Sequence, residues 1–316
     1  MKNEYLKTVS SLSAIIVPVA ILVVLLMHFG YTPLFTNSIS FDAKIKFVNN
    51  KKPKQIDLAA IGSSITLNNL SSKVIKDSLN TSFFNFSSWG LQMNDIKEVI
   101  AKDIVNYKPK YILISSSIPD FILPGNLPAL ENYYNTNKFF KETFTPYFYI
   151  KNFNSIADIY TRKKATDKLE RVNDQYDSLN FDDYGGALLY IPEKNISASR
   201  WNAKDPFPTN YTNSQYKNLT ALCVFLKEHN IKLIFVQSPI KKSYVYSAEA
   251  QQIIDDHFNT CKNIVEKYNN IYLNFYNPQL FSDDHLFVDQ FHLSAAGAEI
   301  FTKQITHNLK INHIIQ

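Results

Sequence analysis

Three short blocks carry residues whose types and spacing could do chemistry. The first is Ile61-Gly62-Ser63-Ser64-Ile65-Thr66, directly after an apolar strand-like run and before a helical one. A serine at a strand-to-helix turn has its hydroxyl at the carboxyl edge of the sheet, where open α/β sheets place their sites. The N–H groups opening the helix can steady a negative charge there. The same serine could equally be an ordinary helix cap. The turn lacks the G-x-S-x-G pattern of a nucleophile elbow. The second block, Asn85-Phe86-Ser87-Ser88-Trp89-Gly90, closes another strand-like run, and its glycine could be a simple turn residue. The third is Asp289-Gln290-Phe291-His292-Leu293-Ser294, followed by Ala-Ala-Gly297 and a final amphipathic helix. Asp and His three apart on one loop can fold so that the carboxylate accepts from Nδ1–H. Nε2 is then free to take a proton from a serine. The alternative for this histidine is a surface loop residue.

Two further groupings stand out. Asp283, Asp284, His285, Asp289 and His292 form a dense set of hard metal ligands. A metal site usually draws on a second cluster from a separate element, and the sequence shows none, so no metal is expected. Arg200-Trp201 could hold an anionic or sugar group, or be a surface arginine stacked on a partly buried ring.

These residues need a frame. Residues 56–61, 82–86, 111–115, 232–237 and 271–274 read as strands, and their continuous apolar character suits a parallel sheet buried on both faces. Ser214 is expected to cap a helix carrying Leu219, Leu222, Cys223 and Leu226 on one face. Ser247 is expected to cap another with Ile254, Phe258, Cys261 and Val265. The alternation predicts one three-layer α/β domain over 55–316, interrupted at about 121–210 by an aromatic, Asn- and Pro-rich insertion lying over the sheet. Both cysteines fall on buried stripes as core thiols, a disulfide between them being the alternative outside the cytoplasm.

Residues 8–41 contain no Asp, Glu, Lys or Arg, and 12–29 are almost wholly apolar. About 20 helical residues reach roughly 30 Å, the hydrocarbon thickness of a bilayer. The expected partition is a cytoplasmic tail at 1–9, a transmembrane anchor at 10–31 and a linker at 32–54. Lys2 and Lys7 precede the span and favour a periplasmic or extracellular C-terminal part, although Lys44, Lys46, Lys51, Lys52 and Lys54 follow it. A cleaved signal peptide is the alternative, but the run exceeds a usual h-region and no A-x-A-like site follows.

Composition excludes several classes. With 45% hydrophobic and 19% charged residues, the 316-residue chain is not disordered. Its net charge of +5 comes from lysines spread along the chain, which argues against nucleic-acid binding. Two cysteines exclude a disulfide scaffold, a C-x-x-C redox site and a cysteine zinc cluster. Glycine is scarce, and Gly62, Gly90 and Gly297 are three of only seven.

The order of the blocks resembles the SGNH (GDSL-like) hydrolase superfamily over about 55–120 and 230–310. The resemblance implies a flavodoxin-like SGNH fold with a central parallel sheet, here preceded by one N-terminal transmembrane helix. It makes Ser64 the nucleophile, with Ser63 where the family often has Asp. It makes Asp289 and His292 the other catalytic residues, and the N–H groups of Ser64 and Gly90 the oxyanion hole. One block departs: where the family has G-x-N-D, residues 114–121 read ISSSIPDF with no Asn. Ser116 or Ser117 could donate instead, or the hole could rely on backbone N–H groups. Losing one such donor typically costs about 10²–10³ in rate.

Joined to a membrane span, the resemblance implies serine-dependent O-acyl transfer or O-acyl ester hydrolysis on a cell-envelope glycan, without a cofactor. Similar anchored proteins act on bacterial polysaccharides and teichoic acids, often beside a membrane-bound O-acyltransferase partner. The alternative from another class is a glycan-binding accessory protein that keeps the fold without turnover.

Overall fold

Successive residues of a strand point to opposite faces, so an unbroken apolar strand must be covered on both sides. The computed structural model, which describes residues 2–28, 38–123, 168–172, 174–196, 205–276 and 279–315, follows this rule. The strands are β1 (Leu58–Ala60), β2 (Phe83–Asn85), β3 (Tyr111–Ser116), β4 (Lys232–Gln237) and β5 (Ile271–Asn274). They form one all-parallel sheet in the order β2-β1-β3-β4-β5, with Leu58 opposite both Phe83 and Tyr111, and Tyr111 opposite Lys232. The architecture is α/β, with helices on both faces of the sheet.

The two faces can be read from the strands. Ala59, Phe84, Ile112, Ile114, Leu233 and Phe235 pack to one side. Helices α2 (Ile39–Lys51), α5 (Met93–Lys102), α7 (Thr212–Glu228) and α8 (Ala248–Lys267) supply its cover, through Phe41, Ile96, Leu222 and Cys261 among others. Leu58, Ala60, Phe83, Leu113, Ile234 and Val236 face the other way. They meet Ile75 of α4 (Ser72–Ser78) and Phe301, Ile305 and Leu309 of α9 (Ala295–Ile311). Two short helices, α3 (Ser64–Asn69) and α6 (Pro119–Ile122), start just past the ends of β1 and β3.

Capping explains where the longer helices begin. Ser247 Oγ accepts from Ala250 N–H, and Ser294 Oγ accepts from Gly297 N–H. Gln92 and Asp95 form a capping box that opens α5. Ser214 does not cap α7: the helix starts at Thr212 after Tyr211, which puts Ser214 inside the first turn. The apolar stripe starting at Leu219 is silent about the polar residues ahead of it, so it could not set that boundary. Cys223 and Cys261 are free and buried, and burial pushes the Cys223 thiol up to about 12 and that of Cys261 well above its ordinary value.

The N-terminal helix α1 spans Lys2–His28. Its segment Glu4–Leu22 has a mean hydropathy of 1.7, is long and apolar enough to cross a membrane, and is not covered by the rest of the protein. Part of the stretch expected as a linker is the ordered helix α2. Phe41 and Ile45 of α2 enter the core beside Phe84 and Phe86. Lysines at 44, 46, 51 and 52 give the stretch the look of a soluble linker, but Lys44 turns inward and is itself buried.

Candidate active site

The carboxyl ends of the strands bring the three blocks together. The chain runs outward from β1 to β2, then crosses back to β3, so the strand order reverses at the β1/β3 boundary. That is where open α/β sheets leave a crevice. Ser63 and Ser64 follow β1 there. Ser63 is spent structurally: its Oγ accepts from Ile65 N–H at 3.1 Å as the cap of α3. Ser64, the first residue of α3, is half-buried and faces the crevice.

Ser64 Oγ lies 2.8 Å from His292 Nε2. His292 Nδ1 lies 3.0 and 2.9 Å from the two carboxylate oxygens of Asp289. An ionised carboxylate can only accept, so it holds the proton on Nδ1 and leaves Nε2 as the acceptor facing the serine. Asp289 Oδ1 also accepts the backbone N–H groups of Phe291 and His292, at 2.9 and 2.8 Å, which curls the loop around the carboxylate. Asp289 and His292 are buried.

Asn69 joins this loop to α3. Its Nδ2 donates to Phe291 O and Ser238 Oγ, each at 2.9 Å, and its Oδ1 accepts from Leu293 N–H at 2.9 Å. A fully buried amide with its groups engaged in this way fixes the histidine loop against the serine helix. Beyond the loop, Gly297 lets α9 approach closely. A Cβ there would lie 2.1 Å from the Leu286 carbonyl oxygen, a backbone atom that cannot swing aside.

The second block forms the opposite wall. Gly90 has φ +73°, a conformation that costs glycine little. Ser64, Trp89 and Gly90 line a cavity of about 90 Å³ with Asn68, Tyr176, Asp177, Leu189, Asp289 and His292. The backbone N–H groups of Ser64 and Gly90 have no acceptor among the described residues.

Ser117 is not brought to this cavity. Asp120 accepts from Ser116 Oγ at 2.8 Å and from Ser117 N–H at 3.4 Å, which draws the end of β3 inward. The Ser117 hydroxyl is buried without a partner among the described residues. Asp120 also binds the Ser63 side chain; burial pushes its carboxyl up to about 6, against the opposing pull of these hydrogen bonds. Arg200 and Trp201 lie outside the described residues. Of the candidate metal ligands, Asp283 caps the backbone of His285, and His285 Nδ1 pairs with Glu193 at 3.1 Å. Among the described residues no group of three or more His, Cys, Asp or Glu is placed to hold a metal.

Several wall residues carried no motif in the sequence. Tyr176, Asp177 and Leu189 belong to the described part of the insertion, residues 174–196. Tyr184 O accepts from Asn85 N–H, Ala187 O from Asn68 Nδ2, and Leu189 O from Ala295 N–H. Tyr176 OH donates to Val288 O at 2.6 Å. This part of the insertion thus ties β2, α3 and α9 together beside the serine. Only the Asn68-Asn69 pair left a trace, because two asparagines inside a helix work against helix propensity unless their side chains are used.

No protein-family model matches the sequence, and no curated protein matches it either. Solved structures do resemble the fold. An acetyl xylan esterase, AlAXEase, matches with a TM-score of 0.45 and 10% identity, over 80% of this chain and 99% of its own. A catalytic mutant of an acetylxylan esterase from Geobacillus stearothermophilus matches with a TM-score of 0.45 and 13% identity, over 82% and 96%. A proposed acylhydrolase from Bacteroides fragilis matches with a TM-score of 0.43 and 11% identity, over 85% and 96%.

Proposed function

We propose that this protein is a serine-dependent esterase or O-acyltransferase of the SGNH type, held at a membrane by α1 and acting on an acylated cell-envelope glycan. The observation that carries this reading is the continuous relay from Ser64 Oγ through His292 to Asp289, opening on a cavity. Ser64 attacks the acyl carbonyl while His292 Nε2 takes its proton. His292 then returns the proton to the departing alkoxide, and Asp289 stabilises the imidazolium between the two events. The developing oxyanion is held by the N–H groups of Ser64 and Gly90. Ser117 is not among the described residues that line the cavity, so this reading rests on the two backbone N–H groups. A second acceptor then releases the acyl group from Ser64: water gives hydrolysis, a sugar hydroxyl gives transfer.

The cavity supports a short acyl group. Its volume of about 90 Å³ has room for an acetyl group. Trp89 and Tyr176, with the Asp177 carboxylate, suit a sugar ring beside the ester, because aromatic faces pack against C–H groups and carboxylates accept from hydroxyls.

A fluorophosphonate probe tests the reading. It will label the wild-type protein and the Ser63→Ala variant, whereas Ser64→Ala will be unlabelled yet melt within a few degrees of wild type. Ser64→Ala combined with His292→Ala will be no slower on a small ester than either alone, because the relay acts as a unit. An unlabelled wild-type protein that still binds acetylated glycan would instead support the accessory-protein reading.

A further inference from the structure

Helix α2 presents two polar side chains on its buried face, and both reach the second block. Ser40 is fully buried. Its Oγ accepts from Trp89 N–H at 3.1 Å and lies 3.0 Å from Ser88 Oγ. One turn later, Lys44 Nζ donates to Asn85 O at 3.1 Å and to Gly185 O, with its ammonium 3.9 Å from the centre of the Phe181 ring. Asn85 in turn accepts Ser87 N–H on its Oδ1 at 2.9 Å. A buried hydroxyl and a buried amine need partners, and here the partners are the end of β2 and the loop after it, with Phe181 and Gly185 of the insertion adding to those of Lys44. Phe41 and Ile45, on the same stripe, pack beside Phe84 and Phe86 and leave α2 little freedom to slide.

We infer that α2 is part of the catalytic apparatus, with Ser40 the positioning residue that aims the Gly90 N–H at the oxyanion. This rests on the serine-acyl-transfer reading above. Ser40 touches neither substrate nor reacting atoms. It fixes the Ser88–Trp89 peptide, so that only the Trp89 backbone torsions separate the held group from the Gly90 N–H, and Gly90 itself turns the chain at φ +73°. Lys44 anchors the start of the same loop. Because α2 follows the apolar helix α1 with only residues 29–38 between, the segment nearest the membrane is also the one that shapes the oxyanion site.

The test uses the full-length protein in detergent, with Ser40→Ala and Ser40→Thr. Three quantities are measured: kcat and KM on p-nitrophenyl acetate, the fluorophosphonate labelling rate, and amide exchange at Trp89 and Gly90. Ser40→Ala will lower kcat and the labelling rate by about 10-fold, as expected for a misdirected rather than a deleted oxyanion donor. Its KM will change less than about two-fold, and the Trp89 amide will exchange at least 10-fold faster; Ser40→Thr, which keeps the hydroxyl, will recover most of the rate. If Ser40→Ala does not fold, Ser40→Cys, which keeps the side-chain volume and weakens the acceptor, will show the same slower labelling and faster exchange. Wild-type kcat in Ser40→Ala, or equal loss in both variants tracking a lowered melting temperature, overturns the positioning role while leaving the serine relay intact. An unreactive wild-type protein overturns both readings.

Discussion

At the scale of single residues, Asp120 is a group whose protonation is set by its surroundings. It lies under Ser63 with hydroxyl and N–H donors around it, and these donors together with the nearby His292 only partly offset the effect of burial. Its carboxyl titrates near 3.8 when unfolded and at about 6 in the fold. Below the unfolded value it is neutral in both states, and above the folded value it is charged in both. Between them the unfolded chain releases its proton first, so this group's contribution to stability is lost as pH rises from about 4 to about 6. Two pKa units correspond to about 3 kcal/mol as an upper figure. Asp120→Asn stays neutral throughout. The stability difference between wild type and variant, measured by urea unfolding, will therefore shift toward wild type when pH falls from 7 to 4. A difference that does not change with pH would mean that Asp120 keeps its charge across that range.

At the scale of elements, the distance between serine and histidine depends on how α3 is fastened to the loop before α9. Asn69 does this with two hydrogen bonds inside the core, to Phe291 O and from Leu293 N–H, and a third ties it to Ser238 after β4. Asn69→Ala would strand the Leu293 N–H and the Phe291 carbonyl without partners, and each buried unsatisfied group costs about 1–3 kcal/mol. The variant is expected to lose roughly 2–4 kcal/mol in denaturant unfolding. It will also lose activity beyond what its folded fraction explains, because the loop it releases carries His292. Activity that simply follows the folded fraction would show that the loop holds its geometry without this clasp.

At the scale of the whole molecule, the question is where the folded unit starts. A chain beginning at residue 55 loses Phe41 and Ile45 from the core. Burying each large apolar side chain contributes about 1.5–3 kcal/mol, so their joint removal takes several kcal/mol from a total stability of order 5–15 kcal/mol. A chain beginning at residue 38 will be soluble and monodisperse, whereas one beginning at 55 will aggregate or melt far lower. Equal melting temperatures would return α2 to the status of a linker. For the anchor, a reporter fused after Gln316 will read on the outer side of the membrane, and the protein will stay in the membrane after a high-salt wash. A shortened soluble chain recovered outside would mark the N-terminal segment as a cleaved leader.

What the sequence determined by itself is local. The runs read as strands at 56–61, 82–86, 111–115, 232–237 and 271–274 each coincide with a strand, the first two shorter than expected, because an apolar stretch bounded by turn residues marks a strand even where, as at 271–274, it is only half-buried. The Asp289–His292 contact is equally legible, since its partners are three residues apart on one loop. The serine helix announces itself through its position after β1. Apart from the Ser64–His292 contact across 228 positions, which the resemblance anticipated, the tertiary structure decided the polar contacts between distant stretches of chain. Asn69 meets Phe291 across 222 positions and Lys44 meets Gly185 across 141. A hydrogen bond of that reach leaves no period and no spacing, because each partner alone looks like an ordinary polar residue. Hence α2 reads as a charged linker, and the wall at 174–196 reads as an insertion without a place. Burial of a side chain is written in the sequence only where it repeats along one element; where two elements meet, folding alone decides which polar groups find each other.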